Sequence, residues 1–439
     1  MTDALMSDTM SPGLLKVVER AKTEPEGRFH SLAHLIDVPA LERAYRGSRK
    51  DAAVGVDGVT KEQYGQELER NLRDLHERMK TKRYRHQPIL RVHIPKSQGK
   101  TRPIGISAFE DKLVQDAVRE VLESVYEQDF LDCSYGFRPR RSAHDAVRAL
   151  DRVVRRGEVS WILEADIRSF FDSVDRNTLK EMLQTRVADG SLMRLIGKCL
   201  HVGVLDGAEF SRPEIGTVQG SVLSPMLGNI YLHYALDLWF ESEVKPRLRG
   251  RSTLLRYADD FIIAFEREGD ARRVLDVLGK RLERHGLTLH PEKTRLVAFR
   301  RPPREHQGGK GPGSFDFVGF TFYWGRTRSG SWTLQYKTRC ARLRRSIRSV
   351  YAWCRRHRHW AVKEQCAALS RRLHGHYNYF GVNGNARCLQ SLYVAAKQAW
   401  RKWLGRRSQR GRLSWERMDD ILRLNPLPRP RIKVQIWGR

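Results

Sequence analysis

The sequence lacks the features that mark several common protein classes. Its six cysteines are scattered and none forms a Cys-x-x-Cys pair, so a zinc finger or zinc ribbon is not indicated. No apolar run reaches the length of a membrane span, and the first ten residues contain acidic side chains instead of a basic stretch followed by an apolar one. We therefore expect a cytoplasmic protein with reduced thiols, no leader peptide and no membrane partner.

Acidic residues are also scarce. The 439 residues include 81 Lys and Arg but only 51 Asp and Glu, which gives a formal net charge of +30. From Gln335 to Arg439, 26 basic residues face 4 acidic ones, and six of the ten tryptophans lie in the same segment. Cations interleaved with aromatic rings suit phosphate contacts and base stacking, so the composition predicts a nucleic-acid-binding protein. The length allows two or three domains.

Three aspartates stand at the ends of apolar runs. Asp259 and Asp260 separate the runs 254–257 and 261–265, which predicts a β-hairpin, and a third run ends in Asp166. An unpaired buried carboxylate is costly, whereas hard cations such as Mg²⁺ take oxygen ligands. Acidic strand ends that meet could hold two metal ions, which clamp the attacking and leaving oxygens of a phosphoryl displacement. The alternative is a surface turn with a chance acidic pair.

The Tyr-Ala-Asp-Asp step, with Asp166 upstream, resembles the palm of a reverse transcriptase. The resemblance implies that Asp166, Asp259 and Asp260 are catalytic and hold two Mg²⁺ ions, helped by the backbone carbonyl of Ile167. It also implies that Phe171 lies beneath the sugar of the incoming nucleotide and selects dNTPs over rNTPs. The preceding phenylalanine is instead typical of a core residue.

A basic hairpin is predicted between residues 91 and 106. It contains an Ile-Pro-Lys step, a Gly-Lys step and an Arg-Pro step, and it places Lys96 and Arg102 on its two arms. A solvated basic hairpin is the alternative. Together these steps resemble the fingers of group II intron reverse transcriptases, in which the matching lysine and arginine contact the phosphates of the incoming dNTP.

Two loops carry further candidate contacts. A Gly-Phe-Arg-Pro step resembles the family loop that lines the template path, which implies that Arg138, Arg140 and Arg141 contact template RNA. An exposed basic loop is the alternative. A Gly-Thr-Val-Gln-Gly run before Leu-Ser-Pro resembles another family motif, although Val218 replaces its usual proline. The resemblance assigns Gln219 to the dNTP site, near the new base pair.

Two more assignments depend on the order of the motifs. A lysine near the leaving pyrophosphate can act as a general acid, and the place of Lys293 in the sequence suggests this catalytic role. An ordinary surface lysine is the alternative. The alternating run 315–322 resembles the segment that grips the primer end, which assigns Phe317, Gly319 and Phe320 to the primer grip.

We therefore expect an α/β right-hand polymerase with fingers and palm, followed by an all-α basic thumb or maturase domain from about Gln335. The expected boundaries are 1–60 for an N-terminal extension, 61–325 for fingers and palm, 326–400 for the thumb and 401–439 for a basic tail, which is a candidate DNA-binding segment.

The predicted function is extension of a DNA primer on an RNA template with dNTPs, together with binding of an intron RNA to assist splicing and mobility at a DNA target. Because paired cysteines are missing, the endonuclease-free, class C-like intron proteins are the best match. Two alternatives stay open. One is a group II-like enzyme recruited to phage defence, spacer acquisition or repair. The other is an RNA-binding splicing factor with a silent polymerase, against which the three aspartates argue.

Overall fold

The computed structural model describes residues 10–95, 101–156, 159–207, 209–211, 215–217, 220–303, 311–327, 329–408 and 411–437. Two predicted site residues, Lys96 and Gln219, lie outside these ranges. Among the helices that the structure describes, none combines the length and the apolar character needed to cross a membrane.

The first part of the chain is a layer of helices around one long helix. Its helices are α1 (Pro12–Thr23), α2 (Val38–Gly47), α3 (Lys61–Gly65), α4 (Leu68–Lys80) and α5 (Phe109–Tyr126). Apolar residues recur every three or four positions from Asp111 to Tyr126, which predicts an amphipathic helix. The structure confirms this apolar face in α5, where residues such as Leu113, Val118 and Leu122 are almost fully buried. The other helices bury their apolar faces in the same core.

The predicted basic hairpin belongs to a small four-stranded sheet, which we call the hairpin sheet. Its strands are β1 (Ile89–Pro95), β2 (Thr101–Ile106), β4 (Val204–Asp206) and β5 (Glu209–Ser211), in the order β2-β1-β4-β5. β1 and β2 pair antiparallel, as predicted. Between them and β4 the chain forms α6 (Ala143–Arg155), β3 (Trp161–Asp166), α7 (Phe170–Ser173), α8 (Arg176–Gln184) and α9 (Gly190–Leu200).

The second sheet, which we call the central sheet, contains both predicted acidic runs. It comprises β3, β6 (Ser252–Tyr257), β7 (Asp260–Phe265) and β8 (Arg295–Ala298), all antiparallel, in the order β6-β7-β3-β8. Along β7, Phe261, Ile263 and Phe265 enter one core while Ile262 and Ala264 enter another. The sheet is therefore buried on both faces, which explains why its strands are nearly continuously apolar.

Helices enclose the first of these two cores. The helix α10 (Ser224–Leu232) continues as a wider π-helical stretch to Val244, and α11 (Glu268–Glu283) follows β7. The sequence run that ends in Leu-Ser-Pro predicts a loop that opens a helix ending near Leu238. The helix begins at Ser224, as expected, but the helical stretch extends to Val244. A glycine directly after the amphipathic run 270–285 predicts the end of a helix, and Gly286 indeed adopts a φ of 67° just after α11.

The second core joins α6 to the C-terminal part of the chain. Here a three-stranded sheet of β9 (Ser314–Phe317), β10 (Phe320–Arg326) and β11 (Trp332–Thr338) precedes four helices. The helices are α12 (Cys340–Arg356), α13 (Val362–Phe380), α14 (Ala386–Leu404) and α15 (Trp415–Leu424). The architecture is thus a mixed α/β part followed by a helical part, as expected.

Two details of the predicted C-terminal organisation differ from the structure. Gln335 lies within β11, where alternate side chains are buried against the sheet, and the helices begin only at Cys340. The expected boundary at residue 401 falls inside α14. The chain beyond it folds back, because Leu427 and Ile436 are buried in the second core and Val434 forms a bridge to Val382. The basic composition of the segment led us to expect a separate tail, and it gave no indication of these apolar contacts.

Candidate active site

The three predicted aspartates meet at one end of the central sheet. Asp166 is the last residue of β3 and Asp260 is the first of β7, and the two are direct register partners. Asp259 lies in the turn between β6 and β7, where Tyr257 pairs with Asp260 across a two-residue loop. Ala258, the other loop residue, adopts a φ of 57°. Such a turn matches the twist of the flanking strands, and it carries Asp259 to the same edge as the other two carboxylates.

A buried network beneath this turn was not predicted. The guanidinium of Arg256 is fully buried and donates to the carboxylate of Asp237, with 2.8 Å between Nε and Oδ1. It also donates to Asn229 Oδ1 (3.1 Å), to the carbonyl of Ala258 (3.1 Å) and to Ser134 Oγ (2.8 Å). One planar fork thereby ties the turn to α10 and to the loop before α6. The sequence does contain a signal for this network, namely a charged residue, Arg256, inside the otherwise apolar run 254–257.

The loop before α6 is packed closely against the same turn. A Cβ built on Gly136 would lie 2.4 Å from the backbone nitrogen of Ala258, so a side chain at this position requires the turn to move. The amide of Asn229 donates to the Gly136 carbonyl (2.7 Å), and the backbone nitrogen of Tyr135 donates to the Arg256 carbonyl (2.9 Å). The carboxylates at the turn are therefore held by a rigid backbone.

Burial of the carboxylates dominates the electrostatics of the site, and crowding of negative charge adds to its effect. Burial raises the pKa of Asp260 to about 7, and the charges of Asp166, Asp259 and Glu164 add to this, while a hydrogen bond from the Val318 backbone opposes it. The pKa of Asp259 is raised as well, first by burial and then by Asp166. Buried carboxylates that repel one another favour a compensating cation.

The donor set at this edge suits a hard cation. Carboxylate and carbonyl oxygens are the ligands that Mg²⁺ prefers. The described side chains nevertheless do not form a ready cluster of three or more acidic, histidine or cysteine ligands. The ammonium of Lys293 contacts Asp166, and the Val318 backbone nitrogen donates to Asp260 (3.0 Å). In this arrangement a lysine supplies the positive charge beside Asp166.

The segment that carries Lys293 runs alongside the end of β3. The backbone nitrogen of His290 donates to the Asp166 carbonyl (2.8 Å), and that of Arg168 donates to the Thr288 carbonyl (2.8 Å). Ile167 lies between these two hydrogen bonds and is paired with Leu289. The structure thus brings Lys293, predicted from the motif order, and Ile167, implied by the resemblance, to the edge that carries the aspartates.

Two predicted dNTP contacts lie near the same edge. Phe171 is half-buried whereas Phe170 is in the core, in agreement with the predicted difference between the two. The Phe171 carbonyl accepts a hydrogen bond from the backbone nitrogen of Thr217 (2.7 Å). Burial raises the pKa of Asp259, and the positive charge of Arg102, on β2, partly opposes this rise, so Arg102 lies within electrostatic reach of the aspartate.

The predicted template arginines differ from one another. Arg138 is buried and paired with Glu127 (2.8 Å between Nη2 and Oε1), and it also donates to the Leu131 carbonyl (2.7 Å). It therefore holds its own loop together and does not face a template, contrary to expectation. Arg141 pairs with Asp132 (2.6 Å) and is a quarter exposed, while Arg140 is exposed.

The predicted primer grip also divides into two parts. The side chains of Phe317 and Phe320 are buried in the second core, so they are not available to touch a primer. They instead hold the turn of Val318 and Gly319, in which both residues have positive φ. The backbone of this turn bonds to Asp260, which links the β9–β10 turn directly to the aspartates.

Comparison with known proteins identifies the family. Residues 94–322, more than half of the chain, match the family model described as reverse transcriptase (RNA-dependent DNA polymerase). The chain is 35% identical over 282 residues to protein YkfC of Escherichia coli (strain K12). This alignment covers 56% of this chain and 74% of that protein.

Several relatives have names that refer to introns, among them the following two. The chain is 37% identical over 249 residues to the group II intron-encoded protein LtrA of Lactococcus lactis subsp. cremoris, which covers 54% of this chain and 41% of that protein. It is 33% identical over 107 residues to the nuclear intron maturase 1, mitochondrial, of Arabidopsis thaliana, which covers 24% of this chain and 15% of that protein. Together with the family match across the aspartate-bearing sheet, these similarities show that the chain belongs to the reverse transcriptase family.

Proposed function

We propose that this protein is an RNA-directed DNA polymerase of the group II intron type, which extends a DNA primer on an RNA template. The observation that carries the proposal is the register pairing of Asp166 with Asp260, with Asp259 in the adjoining turn. Carboxylates at such an edge suit the transfer of a nucleotide from a dNTP to a primer 3′-hydroxyl, with release of pyrophosphate.

Two Mg²⁺ ions would be held by the carboxylates of Asp166, Asp259 and Asp260 and by the carbonyl of Ile167. When bound, they would make the primer 3′-hydroxyl a better nucleophile and stabilise the negative charge on the departing pyrophosphate. Lys293 already lies against Asp166, where its ammonium can donate a proton to a leaving phosphate oxygen.

The other proposed site residues orient the nucleotide. Arg102, and Lys96 from the adjoining segment, would grip the triphosphate. Phe171 would pack under the sugar and leave no room for a 2′-hydroxyl, and Gln219 would lie near the new base pair. The turn of Val318 and Gly319 would support the primer end through its backbone, since the neighbouring phenylalanine side chains are buried.

The domain assignment follows from these roles. We assign residues 61–325, with the hairpin sheet and the central sheet, to fingers and palm, and residues 1–60 to an N-terminal extension. The helices α12–α15 would form the thumb, and the segment after residue 401 would be part of it instead of a separate tail. The exposed arginines of α12 would contact template RNA and, in an intron complex, the intron RNA; they are Arg342, Arg344, Arg345 and Arg348.

Replacement of one aspartate tests the chemistry. Asp259→Asn keeps the size of the side chain but removes a charge from the proposed metal site, so we expect primer extension with Mg²⁺ and dNTPs to fall by at least about a thousandfold. Binding of the primer–template should stay within about twofold of that of the unchanged protein. Asp276→Asn, on an exposed face of α11, is the matched control and should extend primers normally. Extension by Asp259→Asn at the rate of this control would refute the metal assignment.

A second experiment identifies the RNA partner. RNA that crosslinks to the protein in its native cell would be isolated and sequenced. We expect one structured intron that carries the reading frame of this protein, as befits a maturase that assists splicing and mobility. Recovery of a different small RNA, or of diffuse cellular transcripts, would contradict the intron role and leave the polymerase assignment unaffected.

A further inference from the structure

A second charged region lies away from the three aspartates. It is an open cleft of about 930 Å³ between α8, α9 and the start of the hairpin sheet, and we call it the basic cleft. Its volume is near the upper end of the range for ligand sites, which is roughly 300–1,000 Å³. Five of the described lining residues are cations, and none is Asp or Glu; the cations are Arg85, Arg176, Lys180, Arg194 and Lys198.

The cations of the basic cleft are crowded together instead of being paired with acids. Arg176 and Lys180 are one helical turn apart on α8, and Arg194 and Lys198 are one turn apart on α9. Like charges at this spacing destabilise a helix, so neither pair is explained by helix stability. In the described part of the chain, none of these four side chains forms an ion pair with a carboxylate.

Arg176 gives the strongest indication that the cleft binds an anion. Its side chain is only 5% exposed, and its hydrogen bonds go to the carbonyl of Gly216 (2.9 Å from Nε) and to the ring of His201 (3.4 Å). Burial lowers its pKa, and no neighbouring carboxylate counteracts the effect. A buried guanidinium without a negative partner is unfavourable, and a phosphate group in the cleft would supply the missing charge.

An exposed aromatic ring on the wall of the cleft favours nucleic acid over a simple anion as the ligand. Phe210, on β5, is 53% exposed although it lines the cleft. A Cβ on Gly203 would lie 2.3 Å from this ring, so the glycine is needed for the ring to lie where it does. Exposed rings beside phosphate-binding cations are typical of sites for single-stranded nucleic acid, where bases stack on the ring.

From these observations we infer that the basic cleft binds the phosphate backbone of a single-stranded RNA segment, at a site separate from the three aspartates. The inference rests on the proposed function in one respect, namely that the protein handles RNA. Arg176 connects the two regions: it bonds to Gly216, and the next residue, Thr217, bonds to the carbonyl of Phe171. RNA bound to Arg176 would therefore be linked, through the hydrogen bonds of Gly216 and Thr217, to the backbone of Phe171.

Charge reversal in the full-length protein tests the inference. The variant Lys180→Glu/Arg194→Glu changes two exposed residues of the cleft. Lys280→Glu/Arg284→Glu, at the C-terminal end of α11, is the control with an equal change in charge. Binding of a single-stranded RNA is measured against salt concentration without dNTPs or Mg²⁺. Each lost phosphate contact lowers the slope of log affinity against log salt by about 0.7, so the cleft variant should lose about 1.4 and bind on the order of tenfold more weakly. Equal affinity and slope in both variants would overturn the inference.

Two further probes distinguish the sources of phosphate. Free tripolyphosphate carries the charge without bases, and Phe210→Ala removes the ring while keeping the cations. We expect Phe210→Ala to weaken RNA binding several-fold and to leave tripolyphosphate binding unchanged. If the charge-reversed cleft variant loses affinity for tripolyphosphate but binds RNA like the control, the cleft is a site for free polyphosphate and the inference is wrong.

The outcome is independent of the polymerase assignment. If the unchanged protein extends primers but the cleft variant binds RNA like its control, the cleft inference fails while the proposed function stands. If the unchanged protein does not extend primers but the cleft variant still loses RNA affinity, the proposed function fails while the cleft inference stands. Circular dichroism of both variants establishes that the exposed substitutions leave the fold intact.

Discussion

Two buried arginines show how differently one side chain can be used in the same molecule. Arg256, under the Asp259 turn, has the carboxylate of Asp237 and three neutral acceptors around its guanidinium. Arg176, at the base of the basic cleft, has one carbonyl and one imidazole but no carboxylate among the described residues. Burial lowers the pKa of both, yet Asp237 reverses the effect for Arg256 only. The charge of Arg256 is therefore compensated within the fold, whereas under our proposal a bound phosphate compensates that of Arg176.

The largest loss in the free energy of unfolding should come from breaking the buried ion pair between Arg256 and Asp237. Asp237→Asn leaves the fully buried Arg256 without its counter-charge, and removal of one partner from a buried pair costs about 3–5 kcal/mol. We expect a loss of that size in the free energy of unfolding, measured by urea denaturation. Asp74→Asn breaks an exposed pair with Arg78 and should cost at most about 1 kcal/mol. Equal losses in the two variants would contradict a special role for the Arg256 network.

A steric change at the same turn should have an intermediate effect on stability and a larger one on activity. Gly136→Ala places a methyl group 2.4 Å from the Ala258 backbone, and overpacking of this kind costs about 1–3 kcal/mol. Because the displaced turn carries Asp259, we expect primer extension to fall at least about a hundredfold while RNA binding is retained. Gly190→Ala, where a Cβ meets no atom within 4 Å, is the control. Normal extension by Gly136→Ala would show that the turn tolerates movement.

The smallest change in the free energy of unfolding should come from replacing Arg176, the buried arginine without a carboxylate partner among the described residues. Arg176→Met loses a hydrogen bond to Gly216, worth about 0.5–1.5 kcal/mol, but it also removes the cost of burying an unpaired charge. We expect the free energy of unfolding to change by less than about 1 kcal/mol, again measured in urea. Arg256→Met should instead cost about 3–5 kcal/mol, because it leaves Asp237 buried alone. Similar losses in the two methionine variants would remove the distinction between the arginines.

Local patterns in the sequence predicted several elements correctly. The strand, turn and strand around Asp259, the antiparallel hairpin that carries Arg102 and the apolar face of α5 are all confirmed. The spacing of Ser142 and Asp145 also predicts a helix cap. The structure confirms it at the start of α6, where the two side chains exchange hydrogen bonds with each other's backbone. These features depend on residues close together in the chain, so periodicity and turn chemistry are sufficient to find them.

Predictions for individual charged and aromatic side chains were less successful. Arg138 was expected on a template surface but pairs with Glu127, and Phe317 and Phe320 were expected at a primer but lie in the core. Arg256 and Arg176 were not singled out. An arginine or phenylalanine in a loop motif looks the same in the sequence whether it points outward or inward, and its orientation depends on partners far along the chain.

The sequence by itself determined the acidic strand ends, the hairpins, the amphipathic helices and the basic character of the C-terminal part. The strand ends, hairpins and helices follow from the local spacing of apolar residues. The basic character follows from the composition of the segment. Only the tertiary structure decided that Asp166 faces Asp260, that Asp237 compensates Arg256 and that Arg176 has no such partner. The interaction of two charges depends on their separation and on their burial, and both are set by the packing of distant elements.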